Sequence, residues 1–306
     1  MGEVAFPEYV EAFIEETKRY LESLDVKLQL LEEISENQSR VYKILRDDGP
    51  VDLIVHRTER SLEQPIGEFR CRVHAALRPE LAEFFRGKER FMNRYATLGA
   101  LVTDDEHAYV VSQCLIRPAV STTLAGVLAA AIVHARPSIL DSIRRVLNQE
   151  PEPTIETLSA WGDLDFEQIQ YDYAHLGLGI HSKRKWSMNL HPHGSLSLDA
   201  IHNNPYWGGG LLCLSWLPES VVRVEDCPVE VNAMNKWENL IADTPTFGGW
   251  CSDGDKLVFA QFLPNLMKGL PNFTDLLIFW ARSRLASAKE LVHIVHKFER
   301  RSVECN

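Results

Sequence analysis

His191, His193, Asp199 and His202 are the residues whose types and spacing come nearest to a reactive centre. Alternate residues of an extended chain point to one side, so His191 and His193, two apart around Pro192, could address a single metal ion. His202 would be a further ligand, and groups orienting the imidazoles would complete the set. On that reading the protein is a metal-dependent enzyme. The competing reading is an exposed turn, because His191-Pro192-His193 falls between two strand-like runs. We favour the turn, since nothing comparable stands in the first half of the chain.

Other constellations carry less. His193-Gly194-Ser195 lacks the strand-to-helix context of a nucleophile elbow. Trp207-Gly208-Gly209-Gly210 could turn backbone N–H groups toward a phosphate, yet it precedes a strand rather than a helix and reads as a flexible turn. Asp253 and Asp255 recur as Asp104 and Asp105 in a matching position, and a turn requirement explains both copies. The six cysteines are scattered, with no Cys-x-x-Cys pair, which argues against a zinc ribbon or a disulfide framework and for a reducing cytoplasm. No cofactor is expected.

The elements that must position these residues follow from hydrophobic period and turn chemistry. The chain has 306 residues, 45% of them hydrophobic, with a net charge of −11 shared by both halves. That length suits two domains. The acidic balance, with no basic run longer than Lys183-Arg184-Lys185, disfavours nucleic-acid binding. No apolar run reaches the roughly 18 residues of a membrane span, and the first residues lack the pattern of a secretion signal.

Phe6, Tyr9, Val10, Phe13, Thr17, Tyr20, Leu21 and Leu24 recur at three and four, predicting a helix over 7–24. Strands are expected over 28–34, 40–45, 51–56 and 68–77, then a helix from Pro79 to Tyr95. A hairpin over 98–115 follows, with helices over 122–135 and 137–147. Gln149-Glu150-Pro151-Glu152-Pro153 reads as a linker. Beyond it the pattern predicts a short helix over 155–161 and strands over 169–173, 177–181, 185–190, 196–201 and 210–216. A strand over 257–263 and a closing helix over 273–298 complete the chain.

The two halves echo one another. Met92-Asn93-Arg94-Tyr95 corresponds to Met234-Asn235-Lys236-Trp237, and Leu98 to Asp105 corresponds to Phe247 to Gly254. The fold class expected is therefore α+β: two tandem units over 1–148 and 154–306, joined by 149–153. Each unit is a helix, an antiparallel meander, a helix, a β-hairpin and a helix.

On these residues, and on Glu238, Pro245, Gly248, Gly249 and the run Phe262-Leu263-Pro264-Asn265, each half resembles the YbjN and type III secretion chaperone-like family. The resemblance implies a compact unit with a three-stranded meander in a cytoplasmic, bacterial protein that acts without catalysis. Such a protein would hold a partner polypeptide along a sheet edge or groove, and here two units in one chain would form a pseudo-dimer. A homo-oligomer would also fit. The expected role is that of a chaperone or adaptor, with Phe247, Trp250, Phe262, Pro264 and Asn265 as the partner-binding residues. The competing classes are the metal-dependent enzyme and a small-ligand regulatory sensor with a pocket between the halves.

Overall fold

Two six-stranded antiparallel sheets with helices packed against them make an α+β fold. The computed structural model describes residues 6–34, 39–46, 49–58, 68–77, 79–96, 98–104, 106–118, 121–148, 159–172, 178–182, 185–190, 194–204, 208–217, 230–241, 247–254 and 256–304. The expected linker at 149–153 lies outside them.

In the first half, α1 (Glu8–Glu22) is followed by β1 (Gln29–Ile34), β2 (Ser39–Ile44), β3 (Val51–Thr58) and β4 (Glu68–Ala76). Helices α2 (Pro79–Phe85) and α3 (Glu89–Met92) run into a 3₁₀ turn at Asn93–Tyr95. The hairpin β5 (Ala100–Thr103) and β6 (Ala108–Leu115) precedes α4 (Ser121–Asn148). The sequence predicted one helix from Pro79 to Tyr95, but Gly87 at φ +76° interrupts it. It also predicted a break at Pro137. Instead α4 runs through that residue as one helix of 28 residues, the surrounding turns holding it where local preference would end it.

The second half holds α5 (Asp163–Asp172), β7 (Leu178–Ser182), β8 (Lys185–Asn189), β9 (Ser195–Asn204) and β10 (Gly208–Trp216). Next come α6 (Glu230–Lys236), a π-helical turn at Trp237–Ile241, the hairpin β11 (Gly249–Asp253) and β12 (Lys256–Pro264), and α7 (Phe273–Glu304). The strand expected over 169–173 is not found: 169–172 end α5, and 173 lies outside the described residues. The helix expected over 155–161 is not present at 159–161, and 155–158 lie outside the described residues. Asp165 explains the true start, because its Oδ2 accepts the Gly162 N–H at 2.7 Å and caps the helix from inside its first turn.

The strand orders are β1-β2-β3-β4-β6-β5 and β7-β8-β9-β10-β12-β11, the same order in both sheets. Among the described residues each meander has four strands rather than three, and in each the hairpin's second strand joins the meander's last. One apolar core, including Phe13, Leu53, Val73, Leu128, Trp250, Phe259 and Leu285, runs through both halves. A smaller cluster of Leu212, Leu214, Cys251, Val258, Ala260 and Phe262 forms on the other face of the second sheet. In β4, Cys71, Val73 and Ala75 are buried while Arg72 and His74 are half-buried. In β12, every residue after Lys256 is buried.

Candidate functional site

Two asparagines hold the hairpins. Asn93, just after α3, donates from Nδ2 to the Leu101 carbonyl at 3.0 Å and accepts the Leu101 N–H at 2.6 Å. Asn235, near the end of α6, does the same with Trp250, at 2.9 and 2.8 Å. Each carboxamide acts as one more peptide group on its strand, which is why asparagine serves and aspartate would not. Ser112 and Gln261 are also equivalent: the first donates to the Leu98 carbonyl and the second to the Phe247 carbonyl.

These hairpins meet at a seam. A Cβ at Gly249 would lie 2.9 Å from Asn93 Oδ1 and 3.3 Å from the Ala100 Cα, so only glycine lets the strands approach there. Helix α3 and its 3₁₀ turn lie against β11, and α6 lies against β5. Asn232 exchanges hydrogen bonds with the Thr103 backbone at 3.2 and 3.1 Å, and the Ser252 hydroxyl donates to the Arg90 carbonyl at 3.4 Å. Gln113 donates to the Glu238 carbonyl at 2.8 Å. Arg94 pairs with Asp253 at 2.7 Å. Lys236 acts on Asp104 from the equivalent position. Burial works to raise the Asp104 carboxyl, but the N–H groups of Glu106 and His107, with His107 and Lys236, outweigh it and hold it below the usual range.

Behind the seam, Glu238 accepts from Trp250 Nε1 at 2.9 Å and from Arg284 Nη1 at 2.8 Å. Burial pushes its carboxyl up, and Arg284 and Trp250 pull it only part of the way back. The group is enclosed by its partners and serves to tie the π-helical turn after α6 to β11 and α7.

Of the residues expected to bind a partner, Phe247, Trp250, Phe262 and Pro264 are buried and Asn265 is half-buried. Phe247 and Trp250 are buried in the main core, Phe247 packing on Trp280 and Trp250 on Phe259. Phe262 is buried in the smaller cluster, and Pro264 is buried at the end of β12. Asn265 accepts the Ala160 N–H at 2.7 Å, and Lys268 reaches the Ala160 carbonyl and Asp165, so this segment latches the chain ahead of α5. Large aromatic side chains at the centre of a sheet are worth more inside than out. Phe247, Trp250 and Phe262 therefore pack inward and present no exposed aromatic face here.

His191, Pro192, His193 and the His202 side chain lie outside the described residues. Asp199 stands on β9 with Lys185 Nζ at 3.8 Å. Among the described residues no group of three or more His, Cys, Asp or Glu is arranged to hold a metal, and no described helix is long and apolar enough to cross a membrane.

A surface that sequence reasoning missed is the edge of the first sheet. Strand β1 is terminal, with β2 on one side and no strand on the other among the described residues. Leu30 and Leu31 are 47% and 57% exposed, and Leu45, beside the start of β1, is 73% exposed. The register slips between Leu30 and Glu32, leaving Leu31 in a bulge. Arg40 on β2 pairs with Glu33 at 2.8 Å and with Glu11 of α1 at 2.9 Å, fastening the strand to the helix. The signal in the sequence was the run Leu28 to Leu31, but its exposure depends on strand order, which the sequence does not carry.

Comparison with known proteins found no family model, no curated protein and no solved structure that matches the chain.

Proposed function

We propose that the protein is a non-catalytic chaperone or adaptor that holds an extended segment of a partner polypeptide along the free edge of β1. The observation that carries this reading is a terminal strand flanked by exposed leucines. An added strand would pair with the N–H and C=O groups on the side of β1 where no strand lies among the described residues, and Leu30, Leu31 and Leu45 would bury apolar surface against it. An exposed edge of this kind is otherwise a liability that proteins suppress. The equivalent seam contacts support a second element of the reading: two chaperone-like units in one chain, joined as a pseudo-dimer through their hairpins.

A photo-crosslinking residue placed at Leu31 tests the edge in cells. Capture of a defined partner at Leu31, with none at the exposed Leu164 of α5, is the expected result. Equal capture at both positions would sink the proposal.

A further inference from the structure

Cys71 on β4 and Cys114 on β6 face each other directly across an antiparallel ladder. Residues so paired project to the same side of the sheet, and both thiols lie in the core, free and buried. The matching positions of the second sheet are Leu211 and Leu263, which are likewise opposite one another. Packing there asks only for apolar volume, and the first half fills it with two thiols instead. Of the other buried free cysteines, Cys213 stands opposite Leu198 and Gln261, and Cys251 opposite Val258. Among the described residues, no other two cysteines are paired in this way.

We propose that Cys71 and Cys114 form a redox-sensitive cross-strand staple, reduced in the packed sheet and closed by a small-molecule disulfide when β4 and β6 part transiently. The Cys71 thiolate attacks one sulfur of oxidised glutathione, forming a mixed disulfide and releasing one glutathione thiolate. The Cys114 thiolate then attacks the Cys71 sulfur and releases the second. Two protein S–H groups become one S–S bond, glutathione disulfide is reduced to two thiols, and the two protons pass to the released thiolates. Opposite residues in a sheet have Cβ atoms about 4.5–5.5 Å apart, whereas a disulfide needs about 3.5–4.5 Å. The strands must therefore draw together by about 1 Å.

Burial makes the resting pair unreactive. It raises the Cys71 thiol well above its ordinary value, with Cys114 adding to the effect, and pushes Cys114 up to about 12. Closure is thus gated by opening of the ladder, and the closed bond would prevent that opening. The staple joins the meander to the strand that carries Ser112 and Gln113, so it would also hold the first half's side of the seam.

The test treats the full chain with oxidised glutathione at denaturant concentrations below the unfolding midpoint, alkylates free thiols, and maps peptides without reduction. The expected product links the Cys71 and Cys114 peptides, two hydrogens lighter than the pair. It should unfold at least ten-fold more slowly than the reduced chain and return to the reduced rate with dithiothreitol. The Cys213→Ala/Cys251→Ala variant should behave identically. Glutathione adducts without the link, thiols that stay free, or a linked form that unfolds as fast as the reduced one would each overturn the proposal.

Discussion

The outward faces of the two sheets differ although their strands are ordered alike. Where the first sheet has Arg72, His74, Tyr109 and Gln113, the register of the second places Leu212, Leu214, Val258 and Phe262. The His74 and Tyr109 rings lie tilted against each other at 4.4 Å and Arg72 donates to Gln113 at 3.2 Å, while the second set closes as an apolar cluster. The hairpins differ in the same sense. Leu101 sits where Trp250 sits, and Ala96 where Glu238 sits, so the second hairpin gains a buried ionic tie that the first lacks. One backbone scheme, pinned by Asn93 and Asn235, is thus filled in two ways. The aromatic residues peculiar to the second half fasten it internally, and in the first half the terminal strand β1 carries exposed leucines.

The largest effect should come from removing that tie. Glu238→Ala leaves Arg284 buried without its carboxylate and should destabilise the protein by about 3–5 kcal/mol, read by urea unfolding. Glu238→Gln keeps an acceptor for Trp250 and should lose less. Equal losses would mean that the charge contributes nothing.

Acid should strike the first half through His134. Burial, reinforced by Arg46, lowers its imidazole to about 4. A folded value below the ordinary 6.5 means the unfolded chain binds the proton more tightly. The stability this neutral group contributes is therefore present above about pH 6.5 and lost as pH falls toward 4, by up to about 3 kcal/mol. The difference in stability between wild type and His134→Gln, followed from pH 7 to pH 4, should shrink accordingly. Glu238 works in the opposite direction, its contribution falling as pH rises through its raised value, so a profile of the wild type alone would blur the two.

Asn93→Ala and Asn235→Ala should each cost about 2–3 kcal/mol, because each strands a buried N–H and a buried carbonyl. The comparison predicts near-equal losses. A difference greater than about 1 kcal/mol would show that the two hairpins are not held alike. The smallest effect belongs to Arg94→Ala. With side chains 32% and 40% exposed, the Arg94 and Asp253 pair should contribute under about 1 kcal/mol and fade in high salt.

Much of the fold was legible. The apolar stripe from Phe6 to Leu24 marked α1, and turn chemistry separated β1 to β4 correctly. The echo of Met92-Asn93 in Met234-Asn235 pointed to the two residues that pin the hairpins. The failures have local causes. Ile169 to Tyr173 alternates like a strand over too few residues to distinguish a helix, and the deciding signal was the Asp165 cap before it. Pro137 reads as a break wherever neighbouring turns do not override it. The density of aromatics at Phe247, Trp250 and Phe262 was legible but their burial was not, because such density marks a buried sheet centre as readily as a binding face.

The sequence by itself determined the α+β class, the succession of elements and the pair of asparagines, since period, turn residues and capping act within a few residues of one another. Only the tertiary structure decided that β1 lies at an edge, that Trp250 faces Glu238 and Arg284, and that Cys71 stands opposite Cys114. Strand order and register join residues tens of positions apart, and neither is written in the local pattern that draws a strand.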